Sequence, residues 1–385
     1  MINFEKMANF IVDKMASVDV RSQQCAKIRS PLSKCSQCQD ICPQKRIKFT
    51  KDKVILSDNC LECGLCASVC PTEALSLKEP NIIVLLDKIE RIYKNDGVVN
   101  ISCRRNSSVD EKCITIPCIG ALMPELLLVM RLYPFPVHMV YTEEQCRHCD
   151  VHTGLDVYNS RMRQVDQLVE QASLSANNII RADKQVKRQE KMQVSREPQE
   201  IDMQKRAFIG SFFGGFKSVP QAVLKNFTGG DDSESGDTKP SITPQSRASD
   251  DLSLDRIEIL KKYVYEKVQT SANEVRLLQQ PRIEGICYFC KACTTLCPTG
   301  ALEYREGSEI LLNTDRCYAC NMCVDVCYHK SIQLQSVPLE SLIMGKISIA
   351  KEHTNVCADC RKEFVASESS VQCAMCQAKE RYRKI

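Results

Sequence analysis

The stretch CYFCKACTTLCPTGAL, residues 287–302, is followed by CYACNMCVDVC at residues 317–327. Each carries four cysteines separated by two, two and three residues. Two-residue gaps let a tightly looped backbone aim three thiolates at three corners of one cubane [4Fe–4S] cluster. The last cysteine starts a helix pointing away and serves the other cluster. The runs therefore pair with exchanged ends. Cys287, Cys290, Cys293 and Cys327 form one expected ligand set, and Cys317, Cys320, Cys323 and Cys297 form the other. Structural zinc prefers two separated pairs of ligands and matches this spacing less well.

Working outward, a second pair of runs lies near the N-terminus. Cys60, Cys63, Cys66 and Cys70 repeat the full spacing and continue into Pro71. Their partner run has Cys35, Cys38 and Cys42 followed by Pro43, but Leu32 stands where its leading cysteine belongs. Cys25, ten residues before Cys35, is the free candidate to replace it. The expected sets are Cys25, Cys35, Cys38 and Cys70, and Cys60, Cys63, Cys66 and Cys42. The alternative is a three-iron or labile cluster without Cys25. Lys45, Arg46, Lys291 and Arg316 lie beside ligands and would favour reduced, more anionic clusters.

Composition agrees with metal ligation. The chain has 385 residues, which implies several domains, and 25 cysteines against five histidines. Charged residues interrupt every apolar run of residues 1–20, so no signal peptide is expected. An odd cysteine count in Cys-x2-Cys units points to metal binding in a reducing, cytoplasmic setting. Residues 121–141 are the most apolar, yet Glu125, Arg131, Pro134, Pro136 and His138 make them a poor membrane span. A net charge of +4 gives no general argument for nucleic acid.

The expected fold class is α+β and multidomain, and the cysteine groups set the boundaries. Residues 1–80 hold an amphipathic helix, as a lid, and the first dicluster domain. Residues 81–175 alternate between helix (82–94, 122–132, 154–174) and strand (98–103, 113–117, 137–142), giving a small α/β unit. Residues 176–228 form a charged helix or connector and a Gly/Phe-rich docking segment. Residues 229–251 are low in apolar content and expected to be a disordered linker, letting the cluster modules move independently. Residues 252–282 carry a helix predicted over 252–278, before Pro281. Residues 283–335 are the second dicluster domain, and 353–385 a zinc-ribbon-like segment.

Residues 25–78 and 283–335 resemble bacterial two-cluster ferredoxins. The resemblance includes the Pro-Thr-Glu-Ala-Leu at 71–75 and the Pro-Thr-Gly-Ala-Leu at 298–302. It implies two short β-hairpins and two short helices around each cluster pair. Tyr328 replaces the proline that usually follows the last cysteine, which should alter the local turn more than ligation. In the middle of the chain, Pro117-Cys118-Ile119-Gly120 follows a strand. Cys146-Arg147-His148-Cys149 follows another, with Gly154 beyond. Residues 96–175 look like the delta-subunit domain of methyl-viologen-reducing hydrogenases, which implies a [2Fe–2S] cluster. The ligands so implied are Cys118, Cys146 and Cys149, with Cys113 or Cys103 as the fourth. A zinc site and free redox-active thiols are the competing readings.

Cys357, Cys360, Cys373 and Cys376 form two knuckles at zinc-ribbon spacing. The whole pattern implies four [4Fe–4S] clusters, a [2Fe–2S] cluster and a zinc ion. It describes an electron-transfer protein that serves redox-enzyme partners, with no nucleic acid and no membrane span. No dinucleotide or phosphate-loop motif is present, so catalysis would need a partner or the cysteines alone. The alternatives are a thiol/disulfide reductase subunit using the middle cysteines, and a maturation or sensor protein for a redox enzyme.

Overall fold

The computed structural model describes residues 18–57, 59–78, 82–106, 113–184, 255–265, 278–368 and 370–383. Residues 1–17 of the lid helix expected over 1–20, most of 176–228 and the linker at 229–251 lie outside the described residues.

Two cysteine-rich modules share one plan. In the first, Val18–Val20 pairs antiparallel with Leu75–Leu77, and Ile47–Phe49 pairs with Val54–Leu56. Helices Gln37–Ile41 and Leu65–Val69 lie between the two ribbons in sequence. In the second, Leu278–Ile283 pairs with Ile332–Val337, and Leu302–Arg305 with Glu309–Asn313. Its helices are Ala292–Thr295 and Met322–Val326. A further strand, Lys346–Lys351, extends this second sheet from beyond the expected boundary at residue 335.

Three local expectations are corrected. Residues 18–20 are strand, not the end of a helix: alternating Val18 and Val20 suit a half-buried ribbon, and Val18 is buried against the first core. Leu278 opens a strand containing Pro281 rather than closing a helix, and only Asp255–Ile259 and Leu260–Tyr265 are helical among the described residues of that segment. Ile179–Ala182, inside the stretch read as helix or connector, is also a strand.

That last strand completes a four-stranded parallel sheet, in the order Ile114–Ile116, Val99–Cys103, Val137–Val140, Ile179–Ala182. Val99, Ile101, Ile114, Val137, Met139 and Val140 are all fully buried. Helices Ile82–Asp96, Pro124–Leu132 and Thr153–Gln171 connect and cover it. Pro124 at the first turn and Glu125 beside it favour the start of the second of these. The chain passes from the second strand in this order to the first, then back to the third. The reversal opens a crevice outside the carboxyl ends of the strands.

The described residues all belong to one compact unit. Arg29 donates to Leu296 O at 3.1 Å and Thr295 O at 3.2 Å, and the Lys34 amide donates to the Asp325 carboxylate at 2.9 Å. Ala26 of the first module is buried in the core of the second. These contacts pack the two modules against each other, where the sequence led us to expect modules that move independently. Residues 255–265 strap the interface. Arg256 pairs with Glu125 at 2.6 Å and reaches Cys70 O, the Ile257 amide donates to the Tyr318 hydroxyl, and Lys261 pairs with Asp315.

Candidate cluster and metal sites

Backbone conformation explains how each run wraps its site. In the three complete runs, the residue before the second cysteine and the residue after it are left-handed. These are Glu62 and Gly64, Phe289 and Lys291, and Ala319 and Asn321. Alternating hands turn successive N–H groups toward one concavity, a cradle for an anion. The run lacking its first cysteine has no such pair: neither Lys34 nor Ser36, which flank Cys35, is left-handed, and Ser36 has φ −135°. Cys25 approaches instead from just before helix Ala26–Arg29, and the Ile28 and Lys27 amides lie against its sulfur. Leu32 is 62% exposed and takes no part in the site.

Each run ends in the same turn. Three residues after the last cysteine, Lys45, Glu73, Gly300 and Lys330 all have positive φ. Each donates its amide to the cysteine carbonyl, at 3.1, 3.3, 3.4 and 3.1 Å respectively. Tyr328 therefore keeps the turn that proline makes elsewhere, contrary to the expectation that it would alter it. Sulfur atoms at this position gain donors as well. The Arg46 amide lies 3.4 Å from Cys42 Sγ and the Ser331 amide 3.3 Å from Cys327 Sγ, while the Thr72 and Thr299 hydroxyls lie 3.8 and 3.7 Å from Cys70 and Cys297 Sγ.

The cysteines gather in groups. Cys25, Cys35, Cys38 and Cys70 line one cavity, called the first site. Cys42, Cys60, Cys63 and Cys66 line the second. Cys287, Cys290, Cys293 and Cys327 line the third. Cys297, Cys317, Cys320 and Cys323 make up the fourth, where the Cys323 thiol feels the other three. Burial, followed by neighbouring thiolates, pushes Cys38 up to about 12. Burial also lifts Cys293, Cys317 and Cys320 to about 12. Buried thiols this close together ionise readily only against a cation, so the donor sets fit a metal cluster.

A fifth group lies at the crevice of the parallel sheet. Cys103 ends one strand, Cys118 follows its neighbour, and Cys146 and Cys149 lie in and just after helix Glu143–Arg147, beyond a third. All four line a cavity of about 310 Å³. Cys113 does not line it. It precedes Ile114, which is in register with Ile101, so it sits toward the amino ends of the strands. At roughly 3.3 Å per residue this is about 10 Å below Cys103. Gly154 and Gly120 permit the close packing: a Cβ at Gly154 would stand 2.5 Å from Cys118 Sγ, and one at Gly120 2.5 Å from Gly154 O. Burial pushes the Cys118 thiol up to about 12 and Cys146 up to about 11.

The sixth group differs in scale. The sulfurs of Cys357, Cys360, Cys373 and Cys376 all lie within 4.8 Å of one another, with Cys360 and Cys373 3.9 Å apart. Four thiolates around a single ion at about 2.3 Å stand about 3.8 Å apart. Backbone donors at Cys360 and Cys373 pull the Cys357 thiol down to about 6. Among the described residues this is the one group of potential ligands drawn to single-ion spacing.

Basic side chains lie at several of the sites. Lys45 Nζ is held by Gln39 O and Asp40 O, and Lys291 Nζ lies over the Tyr304 ring at 4.2 Å. Lys291 nonetheless lines the third cavity, and Arg46 the second. Burial raises the Cys63 thiol, and Arg105, which lines the fifth site and donates to Pro117 O and Leu61 O, offsets a small part of that rise. Arg256 reaches the backbone of Cys70. Both are remote in sequence from the cysteines they approach, so spacing could not reveal them.

Comparison with known proteins agrees with the two modules. A 4Fe-4S dicluster domain family matches residues 33–74, and a second 4Fe-4S dicluster domain family matches residues 286–332. No curated protein and no solved structure matches the chain. The chain thus contains two stretches similar to ferredoxin-type dicluster domains, which indicates iron–sulfur electron transfer. No described helix is long and apolar enough to cross a membrane.

Proposed function

We propose that this chain relays single electrons between redox-enzyme partners, with [4Fe–4S] clusters at the first four sites, a [2Fe–2S] cluster at the fifth and zinc at the sixth. In this reading residues 81–175 form a hydrogenase-delta-like α/β domain and residues 353–385 a zinc ribbon. The exchange of last cysteines carries the reading: Cys70 and Cys42 trade cavities, and Cys327 lines the cavity of Cys287, Cys290 and Cys293. Bound clusters supply reversible one-electron chemistry. The chain itself holds the ligands, excludes water and aims amide donors at sulfur, which favours the reduced, more anionic state. For the fourth ligand of the fifth site the geometry favours Cys103.

The thiol/disulfide reductase reading is less well supported. A nucleophilic cysteine needs a depressed thiol pKa, whereas Cys118 and Cys146 are both raised by burial. Anaerobic purification with iron, sulfide and zinc analysis tests the proposal. The expected content is about eighteen iron atoms and one zinc per chain. Cys103→Ser should lose about two iron atoms and Cys113→Ser none. A colourless protein holding several zinc ions would overturn the proposal.

A further inference from the structure

The sites are connected by shared packing, and the pattern of sharing is ordered. Cys63 of the second site and Cys118 of the fifth are buried in one small core with Leu65 and Val151. Cys38 and Cys66, from the first and second sites, share the next core. Cys35 of the first site packs instead into the core of the other module, with Cys320 and Cys293. It does so at the point where Lys34 and Arg29 bond across the interface to Asp325 and Leu296. The third and fourth sites lie together in that same core.

Resting on the iron–sulfur reading above, we infer that the five cysteine sites form one unbranched line, in the order fifth, second, first, fourth, third, and that the two modules communicate through Cys35 and Cys320. For each passage one electron leaves a one-electron donor at one end and one reaches an acceptor at the other. No bond to carbon, hydrogen or sulfur is made or broken in the chain. The roomy cavity of the fifth site marks one end. At the other end the third site abuts the single-ion site, where Ser367 exchanges two hydrogen bonds with Cys287 and Tyr288 donates to Gln372 O. A partner docking beside the crevice of the parallel sheet therefore exchanges electrons with one beside the C-terminal segment by way of all five sites.

Magnetic coupling between neighbouring clusters in the dithionite-reduced full-length protein tests the order. Electron paramagnetic resonance relaxation would be measured after removing one cluster at a time. Cys38→Ala, emptying the first site, should slow relaxation at two clusters, the second and the fourth. Cys290→Ala should affect the fourth alone, and Cys146→Ala the second alone. An unchanged fourth cluster in Cys38→Ala, or an altered fourth cluster in Cys146→Ala, would overturn the line. If Cys38→Ala fails to fold, the two end variants still decide, because each end must have a single neighbour. Iron analysis of the unaltered chain separates the two failures. Little iron defeats the iron–sulfur reading itself, whereas full iron with a different coupling pattern defeats only the order.

Discussion

Gly154 has no room for a side chain, because Cys118 Sγ occupies the place of its Cβ. A methyl group there must push either the sulfur or helix Thr153–Gln171 aside, and the helix is held by the buried Arg161. Arg161 donates to Gly120 O and Leu122 O at 2.7 Å and to the Ser68 hydroxyl at 2.9 Å. The sulfur is the softer element. Gly154→Ala is therefore expected to lose the iron of the fifth site, about two atoms per chain, and to leave the other sites loaded. Metal analysis with visible absorption would check it, and full iron retention would count against the proposed ligand set. Cys25 poses the opposite test, since it reaches its site without the left-handed loop of the complete runs. Cys25→Ala should remove one cluster or leave a three-iron form, visible as a new resonance in the oxidised protein. An unchanged spectrum and iron content would mean that another group holds that corner. At this scale the sequence was a good guide wherever spacing alone sets geometry, as in Cys60 to Cys70 and Cys287 to Cys327. It left Cys103 and Cys113 undecided, and these differ in the end of a strand they occupy. That difference is fixed by register between parallel strands, not by neighbours in sequence.

Among the elements, the strap at residues 255–265 was the least legible. Its periodicity announced a helix, but nothing local showed that Arg256 would meet Glu125, Glu73 and Cys70, from two different parts of the chain. The strand Ile179–Ala182 was missed for a related reason: its four residues lie near the start of a long polar stretch, and only pairing with Val137–Val140 makes them a strand. The Arg256 and Glu125 side chains are only 17% and 14% exposed, so removing one partner strands the other charge in a poorly hydrated place. Such losses cost about 3 kcal/mol, toward the lower end of the range for buried pairs given the residual exposure. Arg256→Met should accordingly lower the thermal midpoint by on the order of 5–10 °C. Replacing both residues, with Glu125→Gln added, should recover part of the loss. A single variant as stable as the parent would show that solvent reaches the pair freely.

On the scale of the whole molecule, the two cysteine-rich modules are separated in sequence by more than two hundred residues yet share a core. Composition gave the opposite expectation, because a low-complexity segment ordinarily uncouples what it joins. What composition cannot register is complementarity between surfaces: Ala26 seated in the second module's core, Arg29 on the last carbonyls of helix Ala292–Thr295, and Asp325 capping the Lys34 amide. Guanidinium at the C-terminal end of a helix is favoured by the helix dipole as well as by the hydrogen bonds. The strap then adds Tyr318 and Asp315 from the second module to Glu125 and Cys70 from the other parts. These contacts do not depend on an intact backbone between residues 185 and 254. A protease site introduced at residue 240 and cut under anaerobic conditions should therefore give two chains that elute together from size exclusion, with iron unchanged. Separation should require loss of the interface, for instance by Arg29→Glu combined with Asp325→Lys, which places like charges where the hydrogen bonds were. Cut chains that part spontaneously, each keeping its clusters, would mean that the modules meet only transiently. The passage from Cys35 to Cys320 would then be an encounter governed by effective concentration rather than a fixed step.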